Sequence, residues 1–167
     1  MASAQSTDRL PSARRVVTGH DQDGKSCVRH KDDLVLNEGP GFPGVWVCSA
    51  WSTSSVPTND NNTDLEGLSR PVEGDFGIVM HNGTNLITTD LAPGATAMMH
   101  QTTSLDYNIL VSGTLVLELT DGTEVTFSTP GDVIVQRGTN HAWKNPGPTW
   151  TRWASVLVSA KPVEAAL

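Results

Sequence analysis

The stretch Gly94–Gly113, GATAMMHQTTSLDYNILVSG, decides how this chain is read. It contains two strand-length pieces, TAMMHQT and DYNILVS, bounded by glycines that read as strand-end turns. Side chains alternate along a strand. His100 and Thr102 therefore share one face of the first piece, and Asp106 and Asn108 share one face of the second, opposite Tyr107 and Ile109. A lone histidine and a lone acid on such faces raise the question of a metal site.

The same texture continues outward. From about Gly77 the segments GIVMH, NLITTDLA, TAMMHQT, DYNILVS, TLVLELT, EVTFST, DVIVQR, NHAWKN and WTRWASVLVSA each have strand length. NG, PG, SG and DG signals punctuate them, and Asp121-Gly122 in LTDGTE marks the clearest hairpin. Evenly spaced short strands predict an all-β sandwich, barrel or jelly roll. Upstream, RRVVTG and KSCVRH read as strands joined by the turn HDQDG, LVLNEGPGFPG as loop, and VWVCSAWST as a strand. Residues 55–73 are rich in Asn, Asp, Ser and Pro and read as an exposed, mobile loop. The expected organisation is a flexible tail over 1–14, a strand arm and polar loop over 15–76, a barrel over 77–160, and a C-terminal tail over 161–167.

Composition narrows the partners. With 167 residues, 37% apolar and 17% charged, the chain is long enough for one domain with an appended arm. Its net charge of −7 argues against nucleic acid or an anionic membrane, which call for basic surfaces. No transmembrane run occurs, and MASAQSTDRLPSARR lacks the apolar stretch of a secretory signal, so a cytoplasmic location is expected. Cys27 and Cys48 then read as reduced thiols in the core.

A third strand completes the polar set. In GTNHAWKN, His141, Trp143 and Asn145 point the same way. His100, Asp106 and His141, drawn from three strands, would form the open facial triad that suits iron(II) and tolerates zinc, manganese or nickel. The same three groups are the candidate catalytic residues, with acid–base work open to them if no metal binds. Trp143, Met98, Asn108 and Arg152 are candidate substrate contacts: a flat indole, an adaptable thioether, an orienting amide and a cation for a carboxylate or phenolate. Asn145 reads as a turn-stabilising amide. His20, His30 and His81 read as solvated or core-edge histidines, and Trp46, Trp51, Trp150 and Trp153 as core or interface residues.

These residues carry a family resemblance. Gly94, His100, Thr102, Asp106 and Gly113 stand at the spacing of the first cupin motif, G-x5-H-x-H-x3-E-x6-G, with Thr102 at the second His and Asp106 at the Glu. Gly131, His141 and Asn145 resemble the second motif, G-x5-P-x-G-x2-H-x3-N, with Arg137 at the Pro and one residue fewer before the His. RRVVTGHDQDGK, SLDY and QRGTNHAW are similar to small single-domain cupins of fungal and bacterial secondary-metabolite biosynthesis. The resemblance implies a cupin-type jelly-roll β-barrel with an N-terminal strand arm, and it maps His100, Asp106 and His141 onto metal ligands. It implies a divalent transition metal (Fe, Zn, Mn or Ni), or a relict site without one. It also implies a homodimer and a small aromatic or polyketide-like substrate. A redox-neutral lyase or isomerase, a dioxygenase on the same triad, and a non-catalytic ligand binder are the functions open to it.

Overall fold

A computed structural model describes residues 9–164; residues 1–8 and 165–167, the outer parts of the two expected tails, lie outside the described residues. In chain order the strands are β1 (Arg14–His20), β2 (Ser26–Asp33), β3 (Asn37–Glu38), β4 (Val45–Thr53), β5 (Thr84–Leu91) and β6 (Thr96–His100). They continue as β7 (Ser104–Ser112), β8 (Leu115–Leu119), β9 (Glu124–Phe127), β10 (Val133–Arg137), β11 (His141–Lys144) and β12 (Thr151–Ser159). The architecture is the all-β jelly roll that the strand pattern predicts.

One sheet has the order β10-β7-β12-β5-β4-β3 and a second has β6-β11-β8-β9, while β1 and β2 form a separate hairpin. The two larger sheets pack inner face to inner face. Leu91, Leu110, Leu115, Leu117, Ile134, Trp143 and Trp153 fill the space between them. β12 is the spine of the larger sheet, because it pairs antiparallel with both β5 and β7 along its length. β4 pairs with β5, so the sheet takes in strands upstream of residue 77.

Most strand predictions agree with the structure, and the Asp121-Gly122 hairpin closes as expected with Gly122 at φ 83°. GIVMH is the exception. Residues Asp75–Ile78 form a single irregular turn in which Phe76 (φ 56°) and Gly77 (φ 72°) are left-handed, a backbone that cannot continue a ladder. The polar loop also carries more structure than its composition suggests. It holds two short 3₁₀ turns; Asp60 accepts a hydrogen bond from Trp51 Nε1 at 3.0 Å and pairs with Arg70 at 3.1 Å. Cys27 and Cys48 are both free thiols and half-buried.

Arg152 does not serve the role that sequence suggests. Its Nε and Nη2 donate to the two carboxylate oxygens of Asp90, each at 2.6 Å, and its Nη1 donates to Pro11 O at 2.7 Å. Asp90 is fully buried and Arg152 nearly so, so this cation is already neutralised inside the sheet. Removing one partner leaves the other charge buried and alone. Arg152→Leu is expected to cost about 3–5 kcal/mol in urea unfolding. A loss below about 1 kcal/mol would show the pair to be dispensable.

Candidate functional site

Between the two sheets lies a cavity of about 490 Å³, walled by both. On the smaller sheet, His100 at the end of β6 faces His141 at the start of β11 across the strand pairing. Their rings stand 4.4 Å apart, centroid to centroid. Each Nδ1 meets a backbone carbonyl: His100 with Met98 O at 2.7 Å and His141 with Thr139 O at 2.9 Å. A carbonyl oxygen only accepts, so Nδ1 carries the hydrogen and Nε2 of the neutral ring keeps its lone pair. Burial pushes the His141 pKa down to about 4; the Thr139 carbonyl opposes this, and the charge of a protonated His100 adds to it.

Asp106 belongs to the opposite wall, on β7, with Asn108 on the same inward face. Its Oδ1 is buried without a hydrogen-bond partner. Burial raises its pKa to about 6, with the Ser104 hydroxyl pulling the other way. Asn108 is held by Ser155, whose hydroxyl donates to Asn108 Oδ1 at 2.6 Å. Thr102 is buried and its Oγ1 accepts from the Ser104 hydroxyl at 3.0 Å. Trp143 stands with its ring 5.3 Å from His141 and 5.9 Å from Trp153, and both indoles line the cavity.

The structure thus brings His100, Asp106, His141, Asn108 and Trp143 to one cavity. It does not bring the three expected ligands to one point. Among the described residues no three His, Cys, Asp or Glu side chains converge closely enough to hold a metal ion. The physical reason is placement: the imidazoles sit side by side on one sheet, and the acid sits on the other. An aspartate also reaches one methylene less far than the glutamate of the motif. The donor set is a histidine pair, which fits two positions of a metal, and a separate buried carboxyl.

Met98 is a second correction. The pairing of β6 with β11 shifts by one residue between His141↔His100 and Trp143↔Ala97. That irregularity turns Ala97 and His100 inward together and leaves Met98 54% exposed, off the cavity wall. Arg152 also lies outside the cavity, in its pair with Asp90. Asn145 is the turn-stabilising amide expected, donating to Leu91 O, Ala92 O and Thr149 O. His20, His30 and His81 do not line the cavity. Three aromatic lining residues were not anticipated: Trp153, Phe42 and Phe76. Trp153 was open to inference, because Trp153, Ser155 and Leu157 alternate along β12; the two phenylalanines sit in loops that have no period.

No protein-family model matches the sequence. The chain is 34% identical over 169 residues to phomopsin biosynthesis cluster protein D of Diaporthe leptostromiformis, spanning 98% of this chain and 88% of that protein. It is 32% identical over 164 residues to the cupin-domain-containing oxidoreductase virC of Hypocrea virens, spanning 95% and 83%. Among solved structures, the polyketide cyclase RemF from Streptomyces resistomycificus superposes with a TM-score of 0.51 at 16% identity, over 80% of this chain and 81% of that one. At that identity the likeness speaks for the fold alone. The sequence matches run nearly end to end, so the chain belongs to the cupin family, in the group whose members stand in fungal biosynthesis clusters.

Proposed function

We propose that this cupin is an enzyme of secondary metabolism that moves protons on a small, flat aromatic or polyketide-like substrate. The reaction is redox-neutral: isomerisation, dehydration or decarboxylation. One observation carries the reading. Two imidazoles, each anchored through Nδ1 to a backbone carbonyl and the His141 ring held neutral by burial, share an apolar cavity with a buried carboxyl whose pKa is raised to about 6. Titratable groups whose pKa values are pushed apart are how a site holds a base and an acid at one pH.

Nε2 of His141 or His100 takes a proton from carbon beside a substrate carbonyl. Between about pH 4 and pH 6, where His141 is neutral and Asp106 still holds its proton, the Asp106 carboxyl gives that proton to the oxygen that gains the charge, leaving an enol. Asn108, fixed by Ser155, orients the substrate oxygen, and Trp143 with Trp153 excludes water and stacks on the ring. A cavity of about 490 Å³ suits a substrate of two or three fused rings. A second reading rests on the same Nε2 atoms. Imidazoles oriented through Nδ1 are donors that Fe, Zn, Mn and Ni accept, and relatives such as virC are named oxidoreductases.

Two measurements separate and test these readings. Protein purified without chelator or nickel resin is analysed for metal and assayed by NMR for hydrogen–deuterium exchange in beta-tetralone, a bicyclic aromatic ketone with acidic protons beside its carbonyl. The proposal expects acceleration by metal-free protein, reduced about 100-fold or more in His141→Ala. Stoichiometric metal that is lost in His100→Ala and His141→Ala, with no exchange once it is removed, favours the second reading.

Asp106 also predicts a pH dependence of stability. Because its native pKa is raised, the native state holds the proton more tightly than the unfolded chain does. The stability contributed is complete below the unfolded carboxylate pKa and is lost as pH rises through about 6. Asp106→Asn, which carries no charge at any pH, is expected to gain on the parent protein by about 2–3 kcal/mol between about pH 4 and pH 8 in urea unfolding. A stability difference that stays flat over that range contradicts the assignment.

A further inference from the structure

At the cavity mouth stands an aromatic cluster that neither the core nor the proton chemistry requires. Phe42 and Phe76 arrive from separate loops and meet over His100. Their ring centroids are 5.6 Å apart, and they lie 6.0 and 5.6 Å from the His100 ring, each contact close to perpendicular. Rings then follow one another inward, with His100 to His141 at 4.4 Å, His141 to Trp143 at 5.3 Å and Trp143 to Trp153 at 5.9 Å. The polar Nε2 atoms are thus set within an aromatic path that leads from the mouth to the floor.

Burial does not account for Phe76, which is 57% exposed. Its backbone does not welcome it either. At φ 56°, ψ 14° it occupies the left-handed region, where a bulky side chain is an outlier and glycine or asparagine sits easily. The turn is held in that shape from both ends. Asp75 Oδ2 accepts from Thr103 N at 2.6 Å and from Thr103 Oγ1 at 2.5 Å, tying the turn to the segment just after His100. Gly74 N donates to Val79 O at 3.1 Å, closing the loop behind it. Phe42 is placed as firmly: Gly44, two residues on, is left-handed and packs so closely that an added Cβ would stand 2.8 Å from the Ala95 Cβ. A strained, anchored turn that presents an exposed ring at the entrance of a cavity has a ligand as its simplest use.

We propose that Phe76, backed by Phe42, is the specificity-determining residue of this cavity: it selects a planar aromatic ring and positions it over His100. The proposal rests on the aromatic-substrate reading above and adds the residue that enforces it. Perpendicular rings offer an incoming flat ring both edge and face contacts, to which a saturated ring of the same size has no matching quadrupole.

The test is isothermal titration calorimetry of the full chain with beta-tetralone and with its saturated counterpart, beta-decalone, in the parent protein, Phe76→Gly and Phe76→Tyr. Glycine relieves the left-handed backbone, so Phe76→Gly is expected to keep or raise the Tm while weakening beta-tetralone binding about tenfold, with beta-decalone affinity nearly unchanged. Phe76→Tyr is expected to retain beta-tetralone affinity within about threefold. If the parent protein prefers beta-tetralone and Phe76→Gly binds it equally well, the role of Phe76 is overturned while the aromatic reading stands. If the parent protein shows no preference between the two ketones, both fall.

Discussion

The buried pair of Arg152 with Asp90 is the constraint around which the larger sheet closes. It joins β12 to β5 at the point where two central strands meet, and its third arm reaches Pro11 and ties the N-terminal segment to the sheet. Two charges taken out of water demand each other, and this fixes the lateral position of β12. From there the inward face of β12 follows by alternation: Trp153, Ser155 and Leu157 turn to the cavity. Ser155 then holds Asn108 on the neighbouring strand, two residues from Asp106. One wall of the site is thus a consequence of sheet register.

The opposite wall is set by shorter-range forces. Each histidine donates Nδ1–H to a carbonyl two residues earlier in its own chain segment, so neither ring needs a distant partner to hold its orientation. Burial keeps His141 neutral and the lone pairs available. The two walls therefore perturb His141 and Asp106 in opposite senses: the His141 imidazole is driven towards the base form and the carboxyl towards the acid form. That opposition, in a cavity lined by indoles and phenyl rings, gives the site its chemical character.

Strand alternation and turn chemistry made much of this legible in the sequence. The jelly roll, the Asp121-Gly122 hairpin and the inward placement of His100, Asp106, Asn108, His141 and Trp143 all follow from period-two patterning. What failed did so for identifiable reasons. A single-residue irregularity in β6 moves Met98 to the outside, and a slip of that size leaves no mark on composition. Arg152 meets an acid 62 residues away, a pairing that local pattern does not contain. Motif spacing placed three ligands in one cavity but not on one sheet, and so did not tell convergence from opposition. Phe42 and Phe76 lie in loops, where neither alternation nor propensity tells which way a ring points.

The central claim is that both cavity imidazoles carry hydrogen on Nδ1 and turn Nε2 to the cavity, and that burial keeps the His141 ring neutral. Long-range nitrogen–proton NMR of the histidine side chains, followed through an acid titration, reads tautomer and charge directly. The account predicts the Nδ1–H tautomer for His100 and His141 near neutral pH, with His141 remaining neutral until pH falls to about 4. An Nε2–H tautomer for either ring, or protonation of His141 near the ordinary histidine pKa of about 6.5, would contradict it.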